Sequence, residues 1–185
     1  MNVRGMVLTG LFAALLAVSS QVSIPIGPVP ITLQVMFVLL AGMVLGSRLG
    51  FASVVVWVML GVFGLPVFAQ GKAGAAVLIG PTGGYIFGYM VCAYFVGYIA
   101  ENYEPTYKRI MPAMLAGLGL IYAMGLLGFM LSFEFVLNKA MTIDKALSLA
   151  VLPFLPLDLL KTVAAAYIGV RLRRALTRAG LIMAR

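Results

Sequence analysis

Charge placement constrains this chain more than any other feature of its 185 residues. It carries 13 Lys/Arg and 5 Asp/Glu, and these collect in short gaps between long apolar runs. The exceptions are Asp158 and Lys161, an acid and a base three residues apart inside the last apolar run. A charged residue at the centre of a membrane helix costs about 2.5–3.5 kcal/mol on insertion scales, so a pair retained there is a functional-site candidate. Pro156 just ahead of it marks a helix start, where the missing N–H costs nothing. Asp158 then falls near the positive end of the helix dipole, and Lys161 lies one turn further on a similar face. A mutual ion pair that merely opens a helix is the plainer reading.

Composition agrees with a membrane protein: 63% of residues are hydrophobic, 10% are charged and the mean hydropathy is +1.12, against about 25% charged in a soluble domain. The reading is an all-α integral membrane protein, a single membrane domain over 1–185. Its six transmembrane helices are expected at about 8–22, 33–45, 50–63, 84–100, 110–131 and 156–170. The start of the chain has some signal-peptide character, yet the run that follows serves equally as a first span. Its Gly10, Ala13, Ala14 and Ala17 permit close approach by another helix. With no histidine and one cysteine, Cys92, neither an internal disulfide nor a Cys/His metal site is available, and Cys92 reads as a lipid-facing or packing residue. The net charge of +8 lies in interhelical gaps, which argues against nucleic acid as a partner.

Three stretches break the helical pattern. Pro25, Gly27, Pro28 and Pro30 exclude a regular helix between the first two spans, leaving a stiff hairpin or a lid loop over a cavity. The segment from Gly61 to Tyr85 is interrupted by Gly and Pro and contains Phe68, Gln70 and Thr82; such breaks are tolerated where they line a cavity. Gly71-Lys72 does not complete a phosphate loop, because Pro66 stands where the earlier glycine is required and Ala73 replaces the magnesium-binding hydroxyl. Thr142 is a plausible cap for a short helix before Pro153. The third break is the Pro156 helix start.

With both termini cytoplasmic, nine basic residues fall inside (Arg4, Arg48, Lys108, Arg109, Arg171, Arg173, Arg174, Arg178, Arg185) and three outside (Lys72, Lys139, Lys145), a positive-inside assignment. The last five of the inner set read as a flank touching lipid headgroups. All three breaks then share the outer side and can converge on one outward-facing cavity.

That cavity offers Lys161, Asp158, amides and hydroxyls (Gln34, Gln70, Thr32, Thr82) and many aromatic groups, the character of a small-molecule site. Enzymatic hydrolysis lacks a histidine or a second acid within a span, and a channel lacks a polar stripe. Binding or transport of a small solute fits the inventory best.

Four segments in order, Pro-Val-Pro-Ile-Thr-Leu-Gln (28–34), Gly-Val-Phe-Gly-Leu-Pro-Val-Phe-Ala (61–69), Gly-Pro-Thr-Gly-Gly-Tyr (80–85) and Pro-Phe-Leu-Pro-Leu-Asp-Leu-Leu-Lys (153–161), resemble the BioY family. Leu157 departs from the family pattern, which carries a glycine there. The family comprises the biotin-specific S components of energy-coupling-factor (ECF) transporters. The resemblance implies a six-helix bundle that captures biotin outside a bacterial or archaeal cell membrane. It works with a transmembrane coupling (T) protein and a pair of ABC-type ATPases, so ATP is hydrolysed by those partners and this chain needs no cofactor. It also implies contact of Ala13 and Ala17 with the coupling protein. Biotin's chemistry matches Lys161 to its carboxylate, Asp158 to a ureido N–H, Gln70 to the remaining polar atoms, and Phe68 and Tyr85 to the rings. Alternatives are an S component for another vitamin, such as a thiamine-like heterocycle, and a stand-alone carrier.

Overall fold

The structure, a computed structural model, describes residues 3–104 and 106–180; the expected headgroup contact of Arg185 lies outside them. Among the described residues eight α-helices follow in order: α1 (Val3–Gln21), α2 (Gln34–Leu45), α3 (Ser47–Val62), α4 (Ala76–Ile79), α5 (Gly83–Asn102), α6 (Tyr107–Leu131), α7 (Ile143–Ala150) and α8 (Leu155–Arg178). α1, α2, α3, α5, α6 and α8 overlap the six segments read as helical. The last helix runs eight residues beyond its expected end, so the basic tail is helical. α7 follows Thr142, whose backbone is extended although its side chain makes no capping bond. The chain is not purely helical. Strands β1 (Ser23–Ile24) and β2 (Ile31–Thr32) pair antiparallel, with Ser23 opposite Thr32 and Ile24 opposite Ile31.

Among the described residues, α1, α5 and α6 with its π-helical continuation (Ser132–Val136) are long and apolar enough to cross a membrane; α7 and α8, bent by 51° at their junction, make a fourth if counted as one span. α2 and α3 are shorter, at 12 and 16 residues. Twelve residues reach only about 18 Å at 1.5 Å per residue, against an apolar thickness of about 30 Å. Ten of those twelve are buried. α2 is therefore the centre of the bundle, surrounded by α1, α3, α5 and α8.

Small residues set the spacing of the bundle. A Cβ added at Gly84 would lie 2.4 Å from the Met124 carbonyl oxygen, and one at Gly128 would lie 2.5 Å from the Gly84 Cα. α5 and α6 therefore touch backbone to backbone at this level, as small residues allow in membrane helices. A Cβ at Gly117 would lie 2.9 Å from the Cys92 sulfur. Cys92 is thus a packing residue between these helices.

The start of α1 meets the residues just after α8. The Arg4 guanidinium donates to the Gly180 carbonyl at 3.3 Å. Nearby in sequence, Arg173 does not reach outward as the headgroup reading expects: it is buried and donates to the Met43 carbonyl at 2.7 Å. This bond satisfies a carbonyl in the last turn of α2 that has no intrahelical partner.

Candidate functional site

Leu155 and Pro156 open α8, and Asp158 lies in its first turn. Asp158 is 5% exposed and Lys161 9%. Lys161 Nζ donates to Asp158 Oδ1 at 2.7 Å and to the Thr32 carbonyl at 2.5 Å. The Tyr122 hydroxyl of α6 donates to Asp158 Oδ2 at 2.8 Å. One buried network thus joins α8, α6 and the second strand of the ribbon. Two of the three ammonium donors of Lys161 are in use, and the ion pair carries the extra hydrogen bonds that a buried pair requires.

Beside this network lies a cavity of two lobes. The larger holds about 450 Å³ of empty space including its open mouth, and the smaller about 310 Å³. Val29, Pro30, Thr32, Tyr85 and Tyr89 line both. The larger lobe adds Gln34, Trp57, Phe68, Lys72 and Thr82; the smaller adds Tyr122, Phe154 and Asp158. Phe68, 2% exposed, meets Trp57 edge to face, with ring centroids 5.2 Å apart at 89°, a favoured aromatic geometry. The Tyr85 hydroxyl donates to the Ala150 carbonyl. Its ring lies against Gly125, where a Cβ would meet it at 2.4 Å.

The segment bearing Phe68 is irregular, and side chains hold it by its backbone. The Gln21 amide nitrogen lies 3.1 Å from both the Pro66 and Phe68 carbonyl oxygens. The Ser20 hydroxyl and the Trp57 indole N–H both donate to the Val67 carbonyl, at 2.7 and 2.9 Å. Carbonyls that no helix satisfies are thereby paired by α1 and α3.

The structure brings Asp158, Phe68, Tyr85 and Thr82 to the cavity. Lys161 lines neither lobe and stands behind Asp158. Gln70 is exposed, has a positive φ of 63° and also lines neither lobe. In the Pro-rich stretch Pro25 and Gly27 are exposed and Pro28 is half-buried, while Pro30 and Val29 are buried in the cavity wall. Ala13 is 1% exposed and turns into the bundle, so it offers no outward contact; Ala17 is half-buried, and Gly10 and Ala14 hold the exposed face of α1.

Sequence reasoning missed Lys72, Trp57, Tyr89 and Tyr122 as site residues. Tyr89 was within reach, because it follows Tyr85 by four positions and shares its helical face. Trp57 and Tyr122 are polar-tipped aromatics within apolar runs, which need a buried partner for that tip.

Comparison with known proteins gives the lineage. The BioY family model matches residues 1–178. The chain belongs to the BioY family. The biotin transporter BioY of Thermotoga maritima is 46% identical over 172 residues, covering 92% of this chain and 96% of that protein. The probable biotin transporter BioY of Pyrococcus horikoshii is 40% identical over 173 residues, covering 94% and 98%. A crystal structure of the S-component for biotin from an ECF-type ABC transporter matches with a TM-score of 0.82 at 28% identity, over 93% of this chain and 92% of that one. BioY membership, the S-component fold and several long apolar helices make this a multi-pass membrane protein. The four motifs that resemble the family all lie inside the matched region, and Leu157 is accommodated on the exposed side of α8.

Proposed function

We propose that this chain captures biotin as the substrate-binding S component of an ECF-type transporter. It hands the vitamin across the membrane with a coupling protein and ATPases that supply the energy. One observation carries the reading: a buried acid–base network faces an aromatic cavity in a BioY-family fold. The meeting of Arg4 with Gly180 puts the start of α1 and the end of α8 on one side of the bundle, which supports six crossings with cytoplasmic termini and a cavity open outward.

The geometry favours one orientation of the ligand. Asp158 already faces one cation, Lys161, which is held behind it. A second anion placed there would meet Asp158, whereas a neutral ureido N–H would find an acceptor. Lys72 lines the larger lobe, is exposed, and has no ion-pair partner among the described residues. Biotin's carboxylate therefore belongs at Lys72 and its ureido end at Asp158, with Phe68 and Tyr85 beside the rings. Lys161 holds Asp158 in place. A cationic heterocycle would meet Lys72 with no free acid to balance it. Gly10 and Ala14, rather than the buried Ala13, are the small residues of α1 available to a coupling protein.

Calorimetric titration of the detergent-purified chain tests the reading. Biotin should bind saturably, biotin methyl ester more weakly, and thiamine not at all; absence of biotin binding would overturn it. The ribbon tip, residues 25–30, is the segment placed to act as a lid. Cross-linking that tip to the α3–α4 loop should slow biotin exchange, and an unchanged rate would remove the lid role.

A further inference from the structure

Among the described residues, three buried side-chain polar atoms have no hydrogen-bond partner: Thr9 Oγ1, Gln34 Nε2 and Ser132 Oγ. Of these residues only Gln34 lines the cavity. It is 4% exposed and is the first residue of α2. Its backbone N–H donates to Thr32 Oγ1 at 3.3 Å, and the Thr32 hydroxyl donates to Gln34 Oε1 at 3.4 Å. The amide oxygen is therefore engaged, and its NH₂ group has no protein acceptor. A buried donor left this way is costly until something supplies an acceptor.

Three other polar side chains of the inner wall are already paired. Asp158 accepts from Lys161 and Tyr122, the Tyr85 hydroxyl is taken by Ala150, and the Trp57 indole N–H by Val67. Thr32 links the unpaired amide to the acid–base pair, because its carbonyl accepts from Lys161 while its side chain holds Gln34. A donor in the larger lobe and a carboxylate acceptor in the smaller are thus linked through Thr32, which lines both lobes. A cyclic urea has the complementary pattern, one carbonyl oxygen flanked by N–H groups.

We propose that Gln34 Nε2 donates to the carbonyl oxygen of the ligand's cyclic urea while Asp158 accepts one of its N–H groups. Gln34 is then a specificity-determining residue that selects neutral ureas over guanidinium-type rings, which present only donors. The proposal rests on the biotin reading and extends it to one atom of the ligand.

The test uses the full chain in detergent, titrated with biotin, desthiobiotin and 2-iminobiotin, for wild type, Gln34→Met and Gln34→Glu. Wild type should prefer biotin and desthiobiotin, which carry the same urea, over 2-iminobiotin. Gln34→Met should lose biotin affinity by about ten- to a hundredfold with its thermal midpoint unchanged or raised, because the donor it removes is unsatisfied in the free protein. Gln34→Glu should shift the preference toward 2-iminobiotin. Wild-type affinity in Gln34→Met, or an unchanged ligand ratio in Gln34→Glu, would overturn the assignment while leaving biotin binding intact. Unfolding of both variants would also overturn it, since a donor held for the ligand is not needed for folding. No binding of biotin by wild type would instead overturn the functional reading beneath it.

Discussion

The two walls of the cavity are built on opposite principles. On the α8 side the polar groups satisfy one another: Lys161 binds Asp158 and the Thr32 carbonyl, and Tyr122 binds the second carboxylate oxygen. On the α3–α4 side the chain is irregular, and its carbonyls are held from outside by Gln21, Ser20 and Trp57. The first wall is an electrostatic unit mounted on regular helices. The second is a loop held by three neutral side chains. The difference teaches where rigidity and where adaptability reside. Breaking a buried ion pair leaves an uncompensated charge, whereas loosening a neutral loop clamp exposes carbonyls that water can reach. Damage to the first wall should therefore remove stability and binding together. Damage to the second should alter binding with little loss of stability.

The sharpest way to break this contrast is to remove one member of the pair. Asp158→Ala should destabilise the protein by about 3–5 kcal/mol, because Lys161 is left buried without its counterion. It should also lower biotin affinity by more than about a hundredfold. The double variant Asp158→Asn, Lys161→Met should recover most of the stability, since replacing a whole buried pair is often neutral, yet it should still fail to bind. Thermal unfolding in detergent and calorimetry read the two effects separately. If the double variant stays as unstable as the single one, the first wall is not an ion-pair unit.

Lys72 tests the second wall on the ligand side. It is solvent-exposed, so its attraction for a carboxylate is screened and modest. Lys72→Ala should weaken biotin about three- to tenfold, leave stability unchanged and have no effect on the methyl ester. An equal loss for acid and ester would move the carboxylate elsewhere in the cavity.

The same contrast explains what could be read from the residues alone. Charge in an apolar run stands out in any sequence, so Asp158 and Lys161 were legible, as were the helices whose composition forces them. The division of labour within the pair was not. Lys161 stands behind Asp158 because Thr32, 129 positions away in sequence, accepts from it. The irregular segment was legible as irregular, but which of its side chains turn inward depends on its clamp. Gln70 and Lys72 are two residues apart; only Lys72 lines the cavity, while Gln70 sits outside it with a left-handed backbone. The facing of α1 was hidden for a related reason. Ala13 and Ala14 are equivalent in composition, and only the packing of α1 beside α2 and α3 buries the first and exposes the second.

The smallest expected effect belongs to the clamp itself. Gln21→Ala removes the donor shared by the Pro66 and Phe68 carbonyls, while Ser20 and Trp57 still hold Val67. Gln21 is exposed, so water can replace its hydrogen bonds and the loss of stability should stay below about 1 kcal/mol. Phe68 would nevertheless lose part of its restraint against Trp57. Biotin affinity should fall only about threefold, mostly through faster release, because a loosened wall changes how long the ligand is held more than how it arrives. Trp57 is the chain's only tryptophan, and its indole N–H belongs to the same clamp, so its emission reports directly on this wall. A red shift in Gln21→Ala that biotin reverses would place the adaptable side of the site at residues 66–68. Emission that ignores both the substitution and the ligand would mean that both walls are rigid, and the contrast between them would not hold.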